Sequence, residues 1–137
     1  MIGKCVMLMI AACLTASCAT VSATSMQYVG SPGQSPTAPS HVQILKAMPA
    51  QPHERLGEIS LTASTQPSPA VSDVEEKLRE KAGRLGADAV VIVSDSLQPI
   101  GAYAWGGWWA WDRTVYTVTG RRLVGVAIKY RSSSSAD

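Results

Sequence analysis

Apolar and polar residues follow several different rhythms along this chain, and each asks for a different structure. Near the N-terminus, Cys5 to Ala16 is a run of apolar residues relieved only by Thr15. Residues 19–40 carry Ser, Thr, Gly and Pro with no apolar period, including Ser31-Pro32-Gly33, Ser35-Pro36 and Ala38-Pro39-Ser40. That composition predicts a linker. Beyond it, Val42 to Met48 reads as a strand stopped by Pro49 and Pro52. Leu56 to Ala63 then alternates, with Gly57, Ile59, Leu61 and Ala63 on one face and Leu56, Glu58, Ser60 and Thr62 on the other. A period of two suits a sheet with one buried face.

The rhythm next changes to a helical one. Val74, Leu78, Ala82 and Leu85 form an apolar stripe over a helix predicted at Asp73 to Leu85. Ser72 and Glu75 have the spacing of a capping box at its start. Glu75–Arg79 and Glu80–Arg84 are favourable i, i+4 pairs on the wet side, and Gly86 stands where a left-handed C-cap is needed. Ala89-Val90-Val91-Ile92-Val93 predicts a central strand covered on at least one face. Strand, helix and strand with so short a return suggests a βαβ crossover. The last strand is expected from Arg122 to Tyr130, with Val124, Val126, Ile128 and Tyr130 toward the core. The fold class that follows is α+β. One helix packs on a small mixed sheet in the order β-β-α-β-β, with an aromatic, glycine-rich hairpin inserted before the last strand. The expected segments are 1–17 as a leader, 18–41 as a tether, 42–131 as the domain and 132–137 as a polar tail.

Composition narrows the picture. The 137 residues suit one domain, and 46% hydrophobic against 16% charged residues excludes a disordered tail as the main body. A net charge of +2 gives no electrostatic case for nucleic acid. All three cysteines, Cys5, Cys13 and Cys18, precede the expected domain. No disulfide or cysteine-based metal site is expected there, so its core must hold by burial.

The N-terminus has the form of an export signal: Lys4, the apolar run, then Thr15, Ala16 and Ser17 leading into Cys18. The run is too short to span a bilayer as a helix. This arrangement resembles the lipobox of bacterial lipoproteins, with its leucine, Leu14, one position early. The resemblance implies a diacylglyceryl thioether and an acylated amino group on Cys18, and so attachment to a membrane. Ala19, rather than an aspartate, points to the outer membrane over the inner one. The alternative is an ordinary secretory signal cut after Val21-Ser22-Ala23, giving a soluble periplasmic protein.

The stretch Leu78 to Val93, LREKAGRLGADAVVIV, followed by a late Gly-Val-Ala-Ile strand, is similar to small bacterial βαβ domains. These belong to the superfamily that includes the Rcs outer-membrane stress-sensor lipoprotein and the YbjQ-like proteins. The resemblance implies the fold and the envelope setting. The sensor's disulfides have no counterpart in this domain, and nothing here supports the metal suggested for the YbjQ-like proteins.

The candidate contact residues lie in GAYAWGGWWAWD, Gly101 to Asp112, which holds Tyr103 and all four tryptophans: Trp105, Trp108, Trp109 and Trp111. Gly106-Gly107 is expected to form a two-residue hairpin turn. That register puts Tyr103, Trp105 and Trp108 on one face and Trp109 and Trp111 on the other. Indoles suit a protein partner, a glycan or a lipid headgroup region; they also suit folding back to complete a small core. His41 and His53 with scattered acids make no metal pattern. No nucleophile or metal motif occurs, so no catalytic residue, metal or cofactor is expected. Asp88 is expected to cap or turn, Asp95 to close a strand, and Arg121-Arg122 to be a solvated strand start. The expected function is a non-enzymatic, membrane-anchored envelope lipoprotein binding another envelope component, protein or glycan. A homo-oligomeric structural subunit is the alternative.

Overall fold

The computed structural model describes residues 18–107, 111 and 113–132. The leader, Trp108, Trp109 and the last five residues of the expected tail lie outside them. In chain order the elements are β1 (Val21–Gln27), a 3-10 turn (Pro39–His41), β2 (Gln43–Leu45), β3 (His53–Ser64), α1 (Val71–Arg84), β4 (Ala89–Trp105) and β5 (Thr114–Tyr130). The strands form one mixed sheet in the order β1-β3-β5-β4-β2, with β2 parallel to β4 and the other pairs antiparallel. The class is α+β, with one α-helix among the described residues. The expected crossover takes a split form: β3 and β4 run parallel on either side of β5.

The helix lays Leu78 and Ala82 on the sheet, both buried, with Val74 and Leu85 at the margin. Opposite them stand Val42, Leu56, Ile59, Leu61, Ala63, Val90, Leu123 and Ala127. On the far face Ala89, Val91, Val126 and Ile128 form a smaller cluster under Tyr28, Leu45 and Tyr130. The last strand therefore serves both faces. Leu123 and Ala127 reach the helix side, where the alternation had predicted only the Val124–Tyr130 set to be inward. A central strand is covered twice, and its sequence cannot say which layer is thicker.

Three further expectations are corrected. The helix starts at Val71, and Ala70 is its N-cap with no side-chain cap bond. The Ala70 carbonyl accepts from the Asp73 and Val74 amides at 3.1 and 3.3 Å, so Ser72 and Glu75 already lie inside the first turn. The C-terminus follows the pattern: Gly86 has φ +78°, its amide donates to the Gly83 carbonyl at 2.9 Å, and the Ala87 amide donates to the Ala82 carbonyl at 3.0 Å. Second, the first strand of the expected domain is shorter than read, Gln43–Leu45.

Third, the tether is part of the fold. Val21–Gln27 pairs along β3 from Val21↔Ala63 to Gln27↔Gly57. Val21 and Ala23 pack against the helix-side core. The chain then returns along the helix, where the Thr37 amide donates to the Gly83 carbonyl at 2.8 Å. Main-chain pairing does most of this work, which is why a Ser/Thr-rich segment without an apolar run can do it.

Candidate functional site

The sheet is uneven at one end, and that end carries the candidate residues. β3 stops at Ser64, paired with Gly120 of β5. β4 and β5 continue past this point as a two-stranded ribbon, from Pro99↔Thr119 out to Trp105↔Thr114. β3 has no residue opposite this part of β5. The base of the ribbon is braced. Arg121 forms a bidentate ion pair with Asp95, its Nε donating to Oδ1 at 2.7 Å. The Thr65 hydroxyl donates to the Thr119 carbonyl at 2.8 Å. The guanidinium holds the Asp95 carboxyl below the usual carboxylate range, and Asp95 in turn raises Arg121. Asp95 is thus a brace within a long strand, not a strand exit, and Arg121 is its partner. Sequence reading missed the pair because its members lie on different strands, 26 positions apart.

Paired residues in adjacent strands share a face. Gly101/Val118, Tyr103/Tyr116 and Trp105/Thr114 make one face of the ribbon; Ala102/Thr117 and Ala104/Val115 make the other. Tyr103 and Trp105 therefore lie together, as their spacing predicted. The Tyr103 and Tyr116 rings stack, with centroids 5.3 Å apart and 19° between planes. That is within the range of favourable offset stacking. The connection between Trp105 and Thr114 is longer than the two-residue turn expected at Gly106-Gly107, and Trp111 falls within it. The predicted places of Trp108 and Trp109 lie outside the described residues.

The described aromatic residues of the ribbon and its connection face solvent. Trp105 is 74% exposed, Tyr103 53% and Tyr116 46%, and Trp111 is fully exposed. Leu97, Val115 and Val118 are exposed alongside them. Between Leu97 and Gly120 the only charged residues are Asp112 and Arg113. These side chains do not fold back over the sheet; an exposed apolar patch of this kind marks an interaction surface more often than a defect.

Cys18 is exposed at the same end of the sheet. Two residues further on, the Thr20 carbonyl accepts from the Ser64 amide at 3.0 Å, and the Thr20 amide donates to the Ser64 hydroxyl at 3.0 Å. Val21, Ala63 and Arg121 then form one row across β1, β3 and β5.

Asp88, His41 and His53 lie toward the opposite end of the sheet. Asp88 accepts from the Tyr130 amide at 3.0 Å and lies 3.6 Å from the Lys129 ammonium, tying the β4 start to the β5 end. His53 meets the Gln51 carbonyl at 2.8 Å, while His41 is exposed in the 3-10 turn. Among the described residues no three His, Cys, Asp or Glu side chains cluster as a metal site, and no polar or charged residue is buried. No helix among them is long and apolar enough to cross a membrane.

No family model and no curated protein matches the chain. Among solved structures it is similar to a Francisella virulence factor, FvfA, at 14% identity, covering 79% of this chain and 97% of that one with a TM-score of 0.48. A likeness of that degree says nothing about activity.

Proposed function

We propose that this chain is a bacterial envelope lipoprotein: acylated at Cys18, non-enzymatic, and presenting its aromatic ribbon to another envelope component. One observation carries the choice of Cys18. A cut before Cys18 leaves all of β1 in place. A cut after Ala23 would remove Val21↔Ala63, Ser22↔Thr62 and Ala23↔Leu61, three of the edge strand's seven pairs. The sheet thus favours the lipobox over the ordinary secretory site. Ala19 favours the outer membrane, and several acyl chains on one residue, at roughly 0.8 kcal/mol per buried CH₂, make attachment long-lived. The turn from Leu85 into Val93, with its glycine C-cap, supports grouping the domain with the Rcs-sensor and YbjQ-like superfamily.

Metabolic labelling with palmitate tests the reading. Wild type should take up label and partition with membranes, and Cys18→Ser should do neither. Equal labelling of the two, or none in either, removes the anchor.

A further inference from the structure

The geometry points to the lipid–water interface of the anchoring bilayer as the surface that receives the aromatic ribbon. This deepens the proposed function and rests on acylation of Cys18.

Three observations converge. The first is direction. β1 enters the sheet from the end at which β4 and β5 run on, since Val21 is level with Ala63 and Arg121. Residues 18–20 and the ribbon therefore leave the sheet the same way. The second is reach. Cys18 stands at most about 10 Å beyond Val21, three residues away. From Arg121 to Thr114 the ribbon extends about 20 Å at roughly 3.3 Å per residue. With two strand spacings between β1 and β5, the anchor and the ribbon are about 10 Å apart sideways. A lipid on Cys18 thus brings the ribbon's outer half to the depth of the headgroups, about 10 Å past the anchoring residue.

The third observation is chemistry. The outer ribbon offers Tyr103, Tyr116, Trp105 and Trp111, all exposed, with Val115 and Val118 beside them. Tyr and Trp have apolar rings with one polar handle, and they concentrate at membrane interfaces for that reason. The stacked tyrosines hold their rings without help from the core, so they can be presented at little further entropic cost. Depth is limited by the backbone. Past Gly120 both ribbon edges carry N–H and C=O groups without a neighbouring strand among the described residues. Such groups are costly in hydrocarbon but are satisfied by water and headgroups. The ribbon therefore rests in the interface and does not cross the bilayer. Together with the acyl chains it makes a two-point attachment that sets the orientation of the sheet.

All four tryptophans of the chain lie in this segment, so tryptophan emission, excited selectively at long wavelength, reports on it alone. The test uses the acylated protein reconstituted into phosphatidylethanolamine–phosphatidylglycerol vesicles, with bromines placed either near the headgroups or deep in the acyl chains. Palmitate labelling is run on the same preparation. The expected result is a blue-shifted emission quenched by the shallow bromines more than by the deep ones. A Tyr103→Ser, Trp105→Ser, Trp111→Ser variant, checked for an unchanged melting temperature, should lose most of that quenching while staying labelled. Labelled protein whose emission ignores both bromines overturns the ribbon's placement and leaves the anchor standing. Absent label overturns the anchor and the placement together. A blue shift already present without vesicles, in a stable dimer, overturns the proposal in favour of a second copy. A shift caused by soluble peptidoglycan fragments, without bromine quenching in vesicles, overturns it in favour of a glycan.

Discussion

Replacing Gly83 with alanine sets two opposing effects against each other, and their balance depends on whether the segment before β2 is docked. In an exposed helix interior, Gly→Ala is stabilising by about 0.5–1 kcal/mol, because it lowers the freedom of the unfolded chain. Gly83 is in the last turns of α1, but it is buried, and a Cβ there would overlap the Thr37 carbonyl oxygen. Relieving the overlap means lifting Thr37, whose amide donates to the Gly83 carbonyl at 2.8 Å. The lost hydrogen bond is worth about 1 kcal/mol, and forcing a methyl into a packed contact costs about 1–3 kcal/mol. The unfavourable side is larger, so Gly83→Ala should destabilise by about 1–3 kcal/mol net. Urea unfolding of the unacylated Cys18→Ser chain measures this, with Gly101→Ala as the comparison, since nothing lies within 4 Å of a Cβ built at Gly101. Hydrogen exchange should show Thr37 protected, and the protection lost in Gly83→Ala. A stabilised Gly83→Ala chain with fast exchange at Thr37 would refute the docked segment and restore the flexible tether.

Leu78→Ala should cost about 2–5 kcal/mol in the same unfolding assay, because Leu78 is 1% exposed at the centre of the helix–sheet core. Asp95→Asn should loosen the ribbon base by less than about 1 kcal/mol, since the ion pair is partly exposed and solvent screens it. Its pH dependence has a definite sign. The Asp95 carboxyl is held below its ordinary value of 3.8, so its contribution is present above that value and is lost as pH falls through the lowered one. Wild type should therefore lose ribbon order, read as tryptophan anisotropy, at acidic pH, and Asp95→Asn should lack that step. Tyr116→Ala should leave the melting temperature nearly unchanged but alter the near-ultraviolet circular dichroism, because it removes one ring of an exposed stack.

Local chemistry was enough to determine much of this protein. The apolar stripe at Val74, Leu78 and Ala82, the ion pairs of Glu75 with Arg79 and Glu80 with Arg84, and the positive φ of Gly86 all follow from spacing along one helix. The alternation in Leu56–Ala63 and the apolar run at Ala89–Val93 likewise determined two strands and the burial of Gly57, Ile59, Leu61 and Ala63 in the first, whereas Leu56, expected on the other face, is buried with them beside the register shift between Arg55 and Gly57. The concentration of tryptophans in one segment with almost no charge was visible as composition.

What only the tertiary structure decided depends on partners distant in sequence. Val21–Gln27 is a strand because β3 offers an edge, and main-chain hydrogen bonds carry no side-chain signature. Ala70, not Ser72, caps the helix, and its carbonyl accepts the first helical hydrogen bonds from Asp73 and Val74. Asp95 and Arg121 meet only because β4 and β5 pair, and the aromatic ribbon stands clear only because β3 ends at Ser64. Pairing between strands is chosen by the whole sheet at once. A window of neighbouring residues records how each strand is built, but not how far its neighbour extends.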